Sequence, residues 1–364
     1  MKVILDEVCE RESSNLKQSD VINSNGGYPI YGAAGYIGNV DFYHQGNPYI
    51  AVVKDGAGIG RATLLPAYSS VIGTMQYLIP KSNVLPEYLY YVIRNMHLEK
   101  YYTGATIPHI YFKDYKKETF NLSSIEEQRK IVDILGKVER IIEARTLEME
   151  QFNILIRARF VEMFGNVDTG NYRYKTYKLG DVASVGSSHR VFTTEFVEKG
   201  VPFYRGTEIG ELANGIKPTE PYFISKEQYN RLANDDTKPQ IGDLLMPSIC
   251  NKGQVWMVDT KEPFYYKDGR VLCISPDREI FDTKYLEYFM RVKTLVTYPK
   301  LGSGSTFAEF KIFLLKGIDV LVPPRNLQEQ FADFVRQVDK SKIVGFLKRT
   351  TDTEMYMSKF DSIL

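Results

Sequence analysis

The stretch "SSIEEQRKIVDIL" runs from Ser123 to Leu135, and "NLQEQFADFV" (Asn326–Val335) repeats its opening near the end of the chain. With Gln128 set against Gln330, the offset is 202 residues (330 − 128 = 202). The first copy opens like a helix. Ser123 or Ser124 can cap its free amides, and Glu126 and Glu127 place negative charge in the first turn. From there Ile131, Leu135, Val138, Ile142, Arg145, Met149, Phe152, Ile156, Arg159 and Met163 step by four and three. All but the two arginines are apolar, which is a heptad seam. Gly136 interrupts it, and Phe164-Gly165-Asn166 is a fitting C-cap. About 40 residues at 1.5 Å each make a rod of roughly 60 Å. One small domain cannot bury such a seam, so a partner helix is expected. The second copy supplies it, from about Leu327 to Leu364, with Phe331, Phe334, Val335, Val338, Ile343, Phe346 and Leu347 as its apolar faces. The two rods most simply run antiparallel, because each ends its own repeat.

Other pieces recur in the same order. "LDEVCERESS" (from Leu5) answers "LGDVASVGSS" (from Leu179), an offset of 174. "KDGAGIGRATLL" answers "SICNKGQVWMV", with Gly60 against Gly253, an offset of 193. "GTMQYLIP" answers "GRVLCISP", with Pro80 against Pro276, an offset of 196. "EYLYYVIRN" answers "KYLEYFMRV", with Tyr88 against Tyr285, an offset of 197. "TGATIPHI" answers "GSGSTFAEF", with Gly104 against Gly304, an offset of 200. Conserved order with a drifting offset is what duplication followed by loop insertion leaves behind. Most of the extra length lies between Gly186 and Gly253, around "GTEIGELANGIKPTEPYF". Each copy also carries strands ("PYIAVV", "MQYLIP"; "DLLMP", "QVWMV", "RVLCIS") and a helix, Pro86–Asn95 and Asp282–Val292. The fold class expected is α+β: two similar mixed α/β domains joined by two long antiparallel helices as a coiled-coil spacer. The boundaries are 1–122, 123–165, 166–325 and 326–364.

Composition bounds the chemistry. At 364 residues, length alone suggests about two domains. No apolar run reaches the ~18 residues of a membrane span, and "MKVILDEVCERES" turns acidic too early for a signal peptide, so a cytoplasmic protein is expected. Cys9, Cys250 and Cys273 lack disulfide or zinc spacing and read as buried free thiols. His44, His97, His109 and His189 form no metal or nucleophile motif. A net charge of +1 does not announce a nucleic-acid binder, and 26 tyrosines suit binding surfaces and packed strands alike.

Five features together carry a family resemblance: the two-copy plan, the helix at Ser123–Leu135, "YPIYGAAGYIG" (Tyr28–Gly38), "GDLLMPSICNKGQVWMV" (Gly242–Val258), and Gly-Ala/Ser-Thr before each helix (Gly104-Ala105-Thr106, Gly304-Ser305-Thr306). The chain resembles the specificity subunit of Type I restriction–modification systems over nearly its whole length. "PSICNKG" departs from the S-R-G-T-like string common there. The resemblance implies two target recognition domains that read a split, asymmetric site in double-stranded DNA, one half each. It implies long helices that space the domains and dock two modification (methyltransferase) subunits, which methylate adenine N6. A restriction subunit is the further partner that would cleave. The chain itself is then non-catalytic and holds no cofactor. S-adenosylmethionine, and ATP and Mg for cleavage, belong to the partner subunits.

Two motifs compete with that reading. Gly56-x-Gly58-x-Gly60 follows a strand, yet a phosphate-cradling loop must open a helix, and Thr63-Leu64-Leu65-Pro66 reads as strand and turn. "GNPYI" (Gly46–Ile50) lacks the second proline of an adenine-methyltransferase motif. A self-contained DNA methyltransferase is therefore the weaker alternative, beside a duplicated non-catalytic scaffold for protein or carbohydrate. Phosphate contact needs local clusters of basic residues next to glycines that let backbone approach. The candidates for DNA contact are Lys54, Arg61, Tyr101, Tyr102 and Thr106 in the first copy. In the second they are Arg205, Lys252, Lys267, Arg270, Ser305 and Thr306.

Overall fold

Tyr49–Val53 is buried at every position, which a strand manages only in the middle of a sheet covered on both faces. The computed structural model, which describes residues 1–21, 24–104, 108–233, 237–301 and 308–342, places it so. It is flanked by Met75–Pro80 and Ala62–Leu65, and Cys9–Ser13 completes an antiparallel four-stranded sheet. Beside it in sequence, Tyr28–Gly32 pairs antiparallel with Gly35–Val40 and parallel with Ser70–Val71. The helix Pro86–Asn95 buries Tyr88, Leu89, Tyr91, Val92 and Ile93. Lys2–Ile4 pairs with Thr119–Asn121, so the chain enters and leaves this region on neighbouring strands.

The second half repeats this plan strand for strand. Its four-stranded sheet has the order Ala183–Gly186, Val271–Pro276, Leu244–Pro247, Trp256–Met257. Its three-stranded sheet joins Val201–Tyr204 antiparallel to Tyr222–Ile224 and parallel to Tyr265–Tyr266. Thr176–Lys178 pairs with Asp319–Leu321 at entry and exit. Register agrees as well: Cys9 faces Pro80, and Ala183 faces Pro276. The chain is thus mixed α/β, and it divides into two compact units, one within Met1–Leu147 and the other within Glu148–Val344.

Pairs aligned in the sequence do the same work in both units. Tyr88 donates its hydroxyl to Asn121 O at 2.8 Å, and Tyr285 to Leu321 O at 3.1 Å. Gly60 and Gly253 share a left-handed backbone, with φ of +79° and +66°. A methyl group on them would meet Glu99 N at 2.4 Å and Arg291 O at 2.7 Å. Alanine at either site is expected to cost about 2 kcal/mol, from strained backbone and a clash with main chain that cannot swing away. A fall in the urea midpoint of the unit concerned checks it; an unshifted midpoint would refute the equivalence.

One alignment needs correcting. The helices begin at 125 and 325, not 202 residues apart. The partner of Gln128 is Gln328, and Gln330 is exposed. Gln128 Nε2 donates to Asn83 O (3.1 Å) and Ser123 O (2.9 Å), while Oε1 accepts from Leu85 N–H (2.8 Å). Gln328 does likewise with Ile280 O (3.0 Å), Pro323 O (2.8 Å) and Asp282 N–H (3.0 Å). Letter matching slipped by two because the Glu-Gln of Glu127-Gln128 recurs at Glu329-Gln330, two places past Gln328.

The central helix runs Ile125–Phe164, 40 residues, and Ser124 Oγ caps Glu127 N–H at 3.3 Å. Ile131, Leu135 and Val138 lie in the core of the first unit, with Ile142 at its edge. Ile156 lies in the core of the second, with Phe152 and Met163 at its edge. Arg145 and Met149, between them, are half-buried. The deepest residues at this end are Phe160 and Phe164, one position beyond the seam's Arg159 and Met163. An α-helix drifts about 20° per heptad against a strict 3.5-residue repeat, so four to five heptads displace the buried stripe by about one residue. Phe160 and Phe164 pack on Phe331 of the helix over 325–342, which buries Val335 and Val338 in the same core. Ile343, Phe346 and Leu347 lie outside the described residues. Helix Thr283–Thr297 runs further than the expected Val292, and Asp282 Oδ1 caps Lys284 N–H at 2.9 Å.

Candidate nucleic-acid interface

In the first unit the glycine loop after Val53 is pinned to the segment near 100–110. Gly56 N–H donates to Pro108 O at 3.0 Å, and Ile110 N–H to Lys54 O at 2.9 Å. Thr103 and His109 exchange backbone bonds of 2.8 Å each way. Asp55 takes the Lys54 ammonium at 2.5 Å and His109 Nδ1 at 2.6 Å. Burial pushes the Asp55 carboxyl up, but the hydrogen bonds from Lys54 and His109 outweigh it and hold the group below the usual carboxylate range. Arg61 is exposed and donates Nη2 to Ala33 O, in the turn between Tyr28–Gly32 and Gly35–Val40.

Lys54, Arg61 and Tyr102 (63% exposed) therefore fall on loops that the fold gathers. Tyr101 is half-buried, and its hydroxyl is already engaged. Its hydroxyl bonds Glu118, which raises its pKa, and its ring packs on Tyr115. Thr106 lies outside the described residues, as do Ser305 and Thr306.

In the second unit three candidates converge. Lys267 N–H donates to Tyr204 O at 2.9 Å, which sets Lys267 beside Arg205. Ser248 N–H donates to Arg270 O at 2.8 Å, and Phe310 N–H to Ser248 O at 2.7 Å, so the chain just past 302–307 returns to this loop. Arg270 Nη1 reaches Glu309 at 2.8 Å. Arg205 is held by Glu208, a residue only 4% exposed. Burial raises the Glu208 carboxyl, but Arg205 and backbone donors hold it below the usual range. Lys252 is exposed on a different turn, whose Gly253 packs on helix Thr283–Thr297. Among the described residues no hydrogen bond ties it to the other three.

Sequence reading missed several members of these clusters. Ser187, whose Oγ donates to Val271 O (2.8 Å) and accepts Gly269 N–H (2.9 Å), supports the Arg270 loop. Arg190 lies beside Asp268 at 3.3 Å. Ser187 sits at the end of the repeated "LGDVASVGSS", where the repeat itself was the available signal, and Arg190 lies two residues past it. Asp55 adjoins Lys54 and Glu208 follows Arg205 by three, so local spacing was the available signal for both pairs; only the fold brings His109 to Asp55.

The described residues include no group of three or more His, Cys, Asp or Glu able to hold a metal ion, and no helix among them is long and apolar enough to cross a membrane. The three cysteines are buried, and burial raises the Cys9, Cys250 and Cys273 thiols to about 12, 11 and 12. Such thiols are poor nucleophiles.

Comparison with known proteins converges on one family. The chain is 22% identical over 311 residues to the Type I restriction enzyme MjaIX specificity subunit of Methanocaldococcus jannaschii, covering 76% of this chain and 68% of that protein. It is 22% identical over 316 residues to the MjaVIII specificity subunit of the same organism, covering 80% and 72%. Its fold matches the crystal structure of a Type I restriction–modification S subunit from M. genitalium, with a TM-score of 0.63 at 15% identity over 100% of this chain and 96% of that one. The family model described as "Type I restriction modification DNA specificity domain" matches residues 1–151 and again 171–345. Matched twice over by one model, with the same strand order in each match, the chain belongs to the Type I restriction–modification DNA specificity family.

Proposed function

We propose that this chain reads a two-part, asymmetric DNA sequence in the cytoplasm, one half with each of the domains 1–122 and 166–325. The helices 123–165 and 326–364 act as an antiparallel spacer that also docks two modification subunits. The chain supplies recognition, and those subunits supply S-adenosylmethionine and the transfer of a methyl group to adenine. A restriction subunit would join the assembly where cleavage occurs. The interface residues are Lys54, Arg61 and Tyr102 in one domain and Arg205, Lys267 and Arg270 in the other.

One observation carries this reading. The two units share strand order and register, yet differ where loops leave the three-stranded sheet. After Tyr31 the chain has Gly32 and turns back at Gly35; after Tyr204 it has Arg205 and a further helix, Gly206–Leu212. Two half-sites of different sequence need the same scaffold carrying different donors and acceptors at equivalent places.

The test uses labelled S-adenosylmethionine and mixed-sequence DNA. The pure chain should transfer no label. With modification subunits added, label should appear at a bipartite motif with a fixed gap. Stoichiometric labelling by the chain alone, or a continuous motif, would sink the proposal. A net charge of +1 also implies that the chain alone neutralises few phosphates. Affinity and its dependence on salt should therefore both steepen when the modification subunits join.

A further inference from the structure

Arg205 is fixed more firmly than a surface arginine normally is. Its Nε donates to Glu208 Oε1 (3.3 Å) and Oε2 (3.2 Å), and its Nη2 to Oε1 at 2.6 Å. Its own backbone N–H adds a bond to Oε2 at 2.7 Å. The guanidinium lies over the Tyr222 ring, 4.5 Å from the centroid, and Tyr222 stacks at 4.6 Å on Phe196. Phe196, Tyr222 and Arg205 thus form a three-layer stack on a buried carboxylate. Glu208 occupies the side of the guanidinium that carries Nε. The opposite end, Nη1 with the remaining Nη2 hydrogen, is a second fork. Beyond Glu208 and Tyr222 no partner reaches the group among the described residues, and 38% of the side chain is open to solvent.

An ion pair with a buried carboxylate gains little net stability once the desolvation of Glu208 is counted, so the fixing of the guanidinium is open to another use. A rigid two-donor fork at a solvent edge matches the adjacent acceptors O6 and N7 that guanine alone presents in the major groove. Fixing the rotamer beforehand removes the ordering cost of binding. A phosphate can also take an arginine fork, but the sequence-independent phosphate contact is served as well by mobile lysines and arginines. Lys267 and Arg270, on the adjoining loop, supply that kind of charge. The first unit has Gly32 at the equivalent place, so the device belongs to one unit only.

We infer that Arg205 is a specificity-determining residue that reads one guanine of the half-site recognised by the second unit, with Glu208 and Tyr222 as its positioning residues. This rests on the DNA-recognition reading above. The experiment couples a protein change to a base change in the assembled methyltransferase complex. Each guanine of the bipartite motif is replaced in turn by 7-deazaguanine, which lacks N7. With the wild-type chain, one substitution in one half-site should lower methylation by about 10-fold or more. With Arg205→Lys, which keeps the charge but loses the fork, methylation of the natural site should fall by a similar factor. That same 7-deazaguanine should then have no further effect, and sequencing of methylated DNA should show discrimination relaxed at that one base pair. If Arg205→Lys and every 7-deazaguanine act independently, or if the motif is unchanged, the inference is overturned. Arg205→Lys avoids the folding risk of truncation, and a melting curve matching wild type separates recognition from stability. A wild-type complex that methylates without any bipartite motif would instead refute the function proposed above, a distinguishable result.

Discussion

Replacing Gln128 with alanine should cost the first unit about 3–5 kcal/mol, because it empties a buried site and strands three main-chain groups at once. The side chain is fully buried and satisfies two carbonyls and one N–H where the helix Pro86–Asn95 meets the start of the central helix. Gln328→Ala should do the same to the second unit. The measurement is denaturant unfolding followed by probes in each unit, since a chain of two units need not unfold in one step. Each substitution should move its own transition.

Gln128→Glu sharpens the test. A carboxylate can still accept from Leu85, but it cannot donate to Asn83 O and Ser123 O and, if ionised, would face both oxygens. Its folded pKa should therefore lie above the ordinary glutamate value of about 4.3. The sign follows: the penalty is smallest below that value, grows by up to about 1.4 kcal/mol per pH unit as pH rises, and levels off above the folded pKa. The variant should be least handicapped in acid. A loss under about 1 kcal/mol for the alanine variants would mean that water replaces the side chain at little cost.

Phe160→Ala is expected to destabilise the second unit by about 3–5 kcal/mol. Its ring lies 5.0–6.3 Å from those of Phe164, Tyr285, Tyr288, Phe289 and Phe331. These neighbours come from the central helix, helix Thr283–Thr297 and the helix over 325–342, so no single element can collapse to fill the space. Proteolysis should open the segment over 325–342 early in this variant. Phe160→Leu, which retains most of the volume, should cost about 1 kcal/mol. Similar losses for the two variants would indicate that ring shape, not filled volume, is what the core needs.

The duplication was legible because burial demands repeat with the fold. Leu5 and Leu179, Tyr88 and Tyr285, and Pro80 and Pro276 each fill the same place, and the alternation that buries a strand survives drift of the other letters. The central helix was legible for the same reason. What escaped was whatever depends on a residue's neighbour in space. Gln128 and Gln330 share letters, but only the hydrogen bonds to Ile280 and Pro323 single out Gln328. Phe160 and Phe164 were passed over because a strict heptad ignores the drift of a straight helix. Among the interface candidates, a list of basic loop residues could not tell Arg205, fixed by a carboxylate three residues on, from Lys252 on another turn. Nor could it reveal that the Tyr101 hydroxyl is already committed to Glu118.

The strands that open and close each unit are hydrogen-bonded to one another, Lys2–Ile4 to Thr119–Asn121 and Thr176–Lys178 to Asp319–Leu321. Each unit is therefore a closed excursion whose ends lie side by side. For the gene, an exchange of everything between two such strands replaces a whole β-rich head and leaves the sequence of the flanking helix in frame. The exchange asks only that the incoming head fit the helix residues it buries, Ile131, Leu135 and Val138 in the first unit and Phe331, Val335 and Val338 in the second. A lineage carrying several such genes could reassort heads far faster than point substitution could rework either one, and the near-identical fixtures at Gln128 and Gln328 would let a head descend into either socket.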